Sequence, residues 1–191
     1  MFGLFYGLWE YFTKKIEFQI LILGLDDAGK TTLLEKTRTI FTKIEGLPPE
    51  KIAPTVGLNI GRMVVGNALL ILWDLGGQKG LRGIWDKYFS ETHALLFVVD
   101  SAGFDRLDEA KATLDQILMD SKLSRVPLLF FANKQDLPSA KSAHELAAFF
   151  ELETIKDRPC RVQAVCALTG RGIKEGFQWV VDCLRSTKRK E

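Results

Sequence analysis

The segment Gly24-Leu25-Asp26-Asp27-Ala28-Gly29-Lys30-Thr31 places two glycines, a lysine and a hydroxyl in the spacing GxxxxGK[ST]. It directly follows the apolar run Phe18 to Leu23 and precedes a helical pattern that opens at Lys30. In that strand–loop–helix setting the pattern reads as a phosphate loop. Its glycines let the backbone curl, so that amides and the helix N-terminus face anionic oxygens. Lys30 is then placed for the β- and γ-phosphates of a nucleotide, and the Thr31 hydroxyl for Mg²⁺. Gly24, Asp26, Asp27, Ala28, Gly29, Lys30, Thr31 and Thr32 form the expected phosphate-binding set. Alone, this pattern names a nucleotide and not its base.

Further elements follow in order, each at a strand end or in the loop before a strand. Pro54-Thr55-Val56-Gly57 lies between the first helix and a hairpin, and Thr55 is the expected second Mg²⁺ hydroxyl, ordered when a γ-phosphate is present. Asp74-Leu75-Gly76-Gly77 ends the run Leu69 to Trp73. An acidic residue there can hold the Mg²⁺ shell through water, Gly77 lets a backbone amide approach the γ-phosphate, and Gln78 can orient an attacking water. Asn133-Lys134-Gln135-Asp136 ends the run Leu128 to Ala132. The Asp136 carboxylate can accept hydrogens from the N1 and 2-amino groups of guanine, a pattern that adenine lacks. Asn133 is expected to bond the base and the neighbouring loop, and the Lys134 stem to lie over the ring. Cys166-Ala167-Leu168 is expected to offer a backbone amide to the guanine carbonyl. Together these select GTP or GDP with Mg²⁺, and Gln78, Lys30 and Thr55 are the expected catalytic residues.

The elements that must position these residues alternate between β-rich and helical patterns. Strands are expected over Phe18 to Leu23, Leu58 to Val65, Ala68 to Trp73, Ala94 to Val99 and Pro127 to Ala132, with a weaker sixth over Arg161 to Ala167. Gly66-Asn67 is a two-residue hairpin signal. Leu107, Ala110, Leu114, Ile117 and Leu118 mark one helix face, Ser142 with Glu145 suggests a capping box, and a last helix runs from about Ile173 to Leu184. The fold expected is α/β: a six-stranded, mostly parallel sheet with one antiparallel strand and helices on both faces.

At 191 residues, 47% hydrophobic and 26% charged, the chain fits one globular domain with a sizeable core. A net charge of +2, with scattered bases, gives no footprint for nucleic acid. Cys160, Cys166 and Cys183 have no metal spacing and read as reduced, packed thiols. No apolar run reaches the length of a membrane span. His93 and His144 read as structural, while Trp73, Trp85 and Tyr88 form either an exposed patch for partners or part of the core.

These motifs, in this order, resemble the Ras superfamily of small GTPases over nearly the whole chain. The wording GLDDAGKTT (Gly24 to Thr32), PTVGLN (Pro54 to Asn59) and WDLGGQ (Trp73 to Gln78) is similar to the ADP-ribosylation factor (Arf) family. The long segment Thr32 to Pro54, Leu58 in the place of a phenylalanine, and Phe2 in the place of glycine resemble its Arf-related, Golgi-associated branch. The resemblance implies a P-loop small-GTPase fold and a monomeric GTP hydrolase that serves as a switch in Golgi vesicle and protein transport. It also implies an exchange factor, a GTPase-activating protein and effectors of the GTP state as partners. Asp27 departs from the small or amide residue common there, and its carboxylate is expected to face solvent. No arginine in the switch segment occupies an obvious finger position, so intrinsic hydrolysis is expected to be slow, weaker by roughly 10³–10⁵ than with a supplied finger.

At the N-terminus, Phe2, Phe5, Trp9 and Phe12 share one helical face, opposite Gly3, Gly7, Glu10 and Lys14. An amphipathic helix over 1–13 is therefore expected, followed by the GTPase domain at 14–186 and a basic tail at 187–191. The helix suits a groove on the protein and peripheral contact with a membrane in turn. Phe2 excludes N-myristoylation. The resemblance implies instead an acetylated N-terminus, an integral Golgi membrane receptor, and residence divided between cytosol and the trans-Golgi membrane.

Overall fold

The computed structural model describes residues 15–188, so the segment expected to form the N-terminal helix and the end of the basic tail lie outside them. Six strands form one sheet: β1 (Ile16–Leu23), β2 (Leu58–Val65), β3 (Ala68–Leu75), β4 (Ala94–Asp100), β5 (Leu128–Asn133) and β6 (Cys160–Ala164). Their spatial order is β2-β3-β1-β4-β5-β6, with β2 antiparallel to β3 and every other pair parallel. Among the described residues, four α-helices, α1 (Lys30–Thr42), α2 (Leu107–Leu118), α3 (Ala143–Phe149) and α4 (Ile173–Lys188), connect and flank the strands.

Parallel neighbours need crossovers, and those crossovers place helices on both faces. Phe18, Ile20 and Ile22 of β1 pack with Leu33 and Leu34 of α1 and with Phe177, Val180, Val181 and Leu184 of α4. The alternate residues Leu21 and Leu23 face Leu107, Ala110, Leu114 and Ile117 of α2 and Leu146 of α3. β4 and β5 are buried on both faces, which is why they read as unbroken apolar runs. Burying each large apolar side chain, such as Phe97, Phe130 or Phe131, contributes roughly 1.5–3 kcal/mol.

The strand order turns back at β1, whose neighbours are β3 on one side and β4 on the other. Beyond the carboxyl ends of strands at such a reversal, the connections diverge and leave a crevice for a ligand. The phosphate-loop motif begins at that end of β1, and the segments after β3 and β5 open beside it.

Some elements differ from the expected ones. β6 starts at Cys160 and stops at Ala164, leaving Val165 to Ala167 as the loop that enters the crevice. The residues Lys79–Glu91 form consecutive 3₁₀ turns. Gly80 and Gly83 interrupt the apolar spacing there and hide the segment from a periodicity reading. α4 continues past Leu184 to Lys188. The hairpin turn lies where expected, between Val65 and its partner Ala68. Ser142 and Glu145 cap each other reciprocally at the start of α3.

The long connection from α1 to β2 is pinned by a residue without sequence signal. Glu35 of α1 is buried, accepts the Leu47 amide at 3.0 Å and pairs with Arg38 at 3.2 Å.

Gly176 of α4 lets that helix lie against β5, since a Cβ there would come within 2.6 Å of Phe131 Cζ. Phe131 is fully buried and packs edge-on against Phe177, so its ring has nowhere to go. Helix propensity alone favours alanine over glycine by about 1 kcal/mol. We expect Gly176→Ala nevertheless to destabilise by about 1–3 kcal/mol through overpacking, as measured by urea unfolding.

Candidate functional site

The site gathers at the crevice. Gly24, with φ of 143°, crosses β4 so closely that a Cβ would collide with the Val98 carbonyl oxygen. That crossing sets the loop Leu25 to Gly29 over the end of β4, and Gly29 then leads into α1 in a left-handed conformation. Asp27 also adopts a left-handed φ of 60° and is exposed, as expected for a carboxylate beside phosphates.

Lys30, in the first turn of α1, is buried, and its Nζ donates to the Leu25 carbonyl at 2.7 Å. Burial pushes its pKa down to about 8, against an opposing pull from Asp74. Asp74, at the end of β3, has no exposed surface. Burial raises the pKa of its carboxyl above the ordinary range, with the Thr31 hydroxyl and Lys30 opposing. Both shifts have the same cause: water has been removed from each charge, and the two do not fully compensate each other.

Three oxygens converge beside Lys30. Thr31 Oγ1 donates to Asp74 Oδ2 at 2.7 Å and lies 2.7 Å from Thr55 Oγ1, which is 3.5 Å from the same Asp74 oxygen. The second Asp74 oxygen, Oδ1, is buried without a hydrogen-bond partner. Two hydroxyls and a carboxylate with one unpaired oxygen are hard oxygen donors, the set that a Mg²⁺ ion sharing its shell with phosphates and water requires. Among the described residues, no group of three or more His, Cys, Asp or Glu offers a softer metal site.

Gly77 lies directly against the phosphate loop, where a Cβ would collide with the Asp26 amide nitrogen and the Gly24 carbonyl oxygen. The neighbouring Gly76 donates its amide to the Gly57 carbonyl at 3.1 Å, joining the Thr55 segment to the Gly77 segment. Gln78 is exposed at the rim. A cavity of about 400 Å³ results, bordered by Asp26, Asp27, Lys30, Thr31, Thr55 and Gln78.

A second cavity of about 170 Å³ shares Gly29, Thr32 and Lys134 with the first and adds Asp136, Ala167 and Leu168. Lys134 sits at a left-handed φ of 61°, and its Nζ pairs with Asp100 at 2.6 Å. Asn133 is buried between two loops: its Nδ2 donates to the Ala28 carbonyl at 2.8 Å, and its Oδ1 accepts the Ala167 amide at 3.0 Å. Both ends of that side chain are therefore engaged within the protein, tying the phosphate loop to the loop after β6. The Cys166 amide donates to Arg171, and the Cys166 thiol is buried. The structure thus brings together the phosphate-loop residues, Thr55, Asp74, Gly77, Gln78, Asn133 to Asp136 and Cys166 to Leu168.

An ion network beside the phosphate loop had no sequence signal. Arg106 grips Asp26 with both terminal nitrogens, at 2.8 and 3.2 Å, and holds its carboxyl below the usual range. Arg82 donates from Nε to the Gly77 carbonyl at 2.8 Å and pairs with Glu109 at 2.8 Å. The aromatic residues divide between the two roles left open for them. Trp85 is core, its Nε1 donating to the Gly76 carbonyl at 3.1 Å, whereas Trp73 and Tyr88 are half-buried and meet edge to face at 5.6 Å.

Comparison with known proteins gives this geometry a family. The model of the ADP-ribosylation factor family matches residues 6–184. The ADP-ribosylation factor-related protein 1 of Rattus norvegicus is 46% identical over 187 residues, covering 96% of this chain and 93% of that protein. The ADP-ribosylation factor-like protein 3 of Saccharomyces cerevisiae is 40% identical over 192 residues, covering 99% of this chain and 96% of that protein. Among solved structures, the Arl6 small GTPase of Trypanosoma brucei, with the bound analogue GppNp, superposes with a TM-score of 0.79 at 34% identity, covering 89% of this chain and 98% of that one. On these matches and the site they surround, the chain belongs to the ADP-ribosylation factor family and is a small GTPase, a switch that binds and hydrolyses GTP.

Proposed function

We propose that this chain is a Mg²⁺-dependent GTP switch working at the Golgi membrane, with its residues in the following roles. The meeting of Thr55 with Thr31 at 2.7 Å over the Asp74 carboxylate is the observation that carries this reading. A loop threonine so placed can join the metal shell when a γ-phosphate is bound, which would couple the loop to the nucleotide's state.

Backbone amides from Gly24 to Thr32 and the N-terminus of α1 would cradle the phosphates, with the Lys30 ammonium on the β- and γ-oxygens. Bound phosphates would also favour the charged form of Lys30 and oppose the effect of its burial. Thr31, Thr55 and Asp74 would hold the Mg²⁺, which neutralises charge on the phosphate oxygens. Gln78 would orient a water against the γ-phosphorus. A new P–O bond forms from that water while the bond to the β–γ bridging oxygen breaks, and GDP leaves with inorganic phosphate. The Gly77 amide would stabilise charge on the γ-oxygens.

Asp136 would choose guanine, the Lys134 stem would cover the ring, and a backbone amide from Cys166 to Leu168 would meet the base carbonyl. Asn133 supports this pocket from behind through Ala28 and Ala167. Intrinsic turnover would be slow, because among the described residues no arginine lines the cavity as a finger, and an activating protein would supply the missing charge. An exchange factor would open the site, and effectors would read the half-exposed surface at Trp73 and Tyr88. The likeness to ADP-ribosylation factor-related protein 1 is the ground for placing the switch at Golgi membranes, and on this reading it would act there as a monomer, with an integral receptor holding residues 1–13. No helix among the described residues is long and apolar enough to cross a membrane, which is compatible with a peripheral attachment.

Four outcomes test the reading. Nucleotide released from purified protein and separated by chromatography should be guanine nucleotide. Asp136→Ala should weaken GDP binding about a hundredfold or more by removing a charged acceptor from two donors. In a single-turnover assay with an activating protein, Gln78→Leu should abolish hydrolysis while GTP binding persists; unimpaired turnover would remove Gln78 from the mechanism. Deleting Met1 to Thr13 should leave nucleotide binding intact and release the protein from Golgi membranes in cells, as seen by imaging; retention there would refute the anchor.

A further inference from the structure

The ion network joins three elements by polar contacts: the phosphate loop, the 3₁₀ segment after β3 and α2. Arg82 lies in the 3₁₀ segment after β3, and its guanidinium meets groups on three sides. Nε donates to the Gly77 carbonyl at 2.8 Å, Nη2 pairs with Glu109 of α2 at 2.8 Å, and the same nitrogen lies 3.8 Å from Asp26 of the phosphate loop. Thr113, one turn along α2, takes the remaining direction at 3.5 Å. Arg106 closes the circuit by binding Asp26 at 2.8 Å and Glu109 at 3.2 Å. Each carboxylate is thus shared by two guanidiniums.

The Arg82 side chain is 15% exposed, so this contact is shielded more than an ordinary surface pair. What it holds is a backbone carbonyl, that of Gly77, the residue pressed against the phosphate loop. Fixing that carbonyl fixes the peptide plane leading to Gln78. Without the arginine, the segment would be held near the loop by the Trp85 contact to the Gly76 carbonyl and the Gly76 contact to Gly57.

We propose that Arg82 is a positioning residue that selects the triphosphate: by bridging the Gly77 carbonyl to Glu109 and Asp26, it holds the Gly77–Gln78 peptide beside the phosphate loop, and keeps Gly77 and Gln78 where a γ-phosphate can use them. This inference rests on the nucleotide reading above and adds a device to the same site. A contact made in the closed arrangement and lost in the open one shifts the equilibrium toward the ligand that needs closure. GDP has no group at that position, so its affinity is indifferent to the clamp. The chemistry also explains why an arginine serves here. Only a planar fork can serve a carbonyl and a carboxylate on different sides at once.

The test compares equilibrium affinities of the full chain for fluorescent GDP and fluorescent GppNHp in the presence of Mg²⁺. Arg82→Ala should lower the preference for GppNHp over GDP about five- to tenfold, within the usual range of coupling between sites, while GDP affinity changes less than about twofold. Glu109→Gln, which keeps a hydrogen bond but removes the charge, should move the ratio in the same direction by less. Arg82→Lys should restore only part of the preference. Equal weakening of both nucleotides, accompanied by a lower Tm, would reduce Arg82 to a structural brace and overturn the proposal. So would an unchanged ratio in both Arg82→Ala and Glu109→Gln. A wild-type chain that binds no guanine nucleotide would instead sink the functional reading itself, which separates the two failures.

Discussion

The architecture turns on a lysine and an aspartate buried together without enough charge to satisfy either. Asp74 has no contact with water, Lys30 almost none, and burial disfavours the charged form of each. A ligand that carries an anionic group together with a cation would bring the missing opposite charges to both sides at once, whereas a lone anion would relieve only half of the mismatch. Keeping such a pair dry requires rigid walls, and the parallel sheet supplies them. β1 and β3 run side by side in register, with Ile22 opposite Asp74, so the phosphate loop and the acidic residue leave the sheet at one level.

Around that centre, polar side chains act as ties between loops that the sheet alone does not join. Asn133 does this behind the base pocket and Glu35 does it for the connection after α1. Each is nearly inaccessible to solvent. Each therefore meets the requirement that buried polar groups be paired, and converts that requirement into loop geometry. Division of labour follows: apolar side chains fix where the strands lie, and a few amides and carboxylates fix where the loops between them go.

Much of this was legible in the sequence, for physical reasons that differ by element. The phosphate loop could be read because its chemistry is contiguous: eight neighbouring residues both shape the turn and supply its lysine and hydroxyl. The strands β4 and β5 could be read because burial on both faces leaves no polar interruption. The family resemblance rested on the same contiguous stretches, and the comparisons bear it out. Pairings that arise only when the chain folds were invisible. Arg106 and Asp26 lie 80 residues apart and Arg82 and Glu109 lie 27 apart, and nothing in either local pattern signals the other. The role of Trp85 was ambiguous because its ring is apolar and its nitrogen is not, and only the Gly76 carbonyl decides which property is used.

Asn133 reaches the Ala28 carbonyl across 105 residues, and the loop it braces on its other side lies later still, at Ala167. A chain leaving the ribosome cannot close the base pocket until β6 and the loop behind it have emerged. Contacts of such long sequence separation also form late and slowly during folding. Guanine nucleotide is thus a ligand of the finished domain alone, and its binding stabilises that domain by mass action, to an extent set by its free concentration relative to Kd. In a cell with abundant nucleotide, newly made copies would gain that added stability only once the last strand has docked.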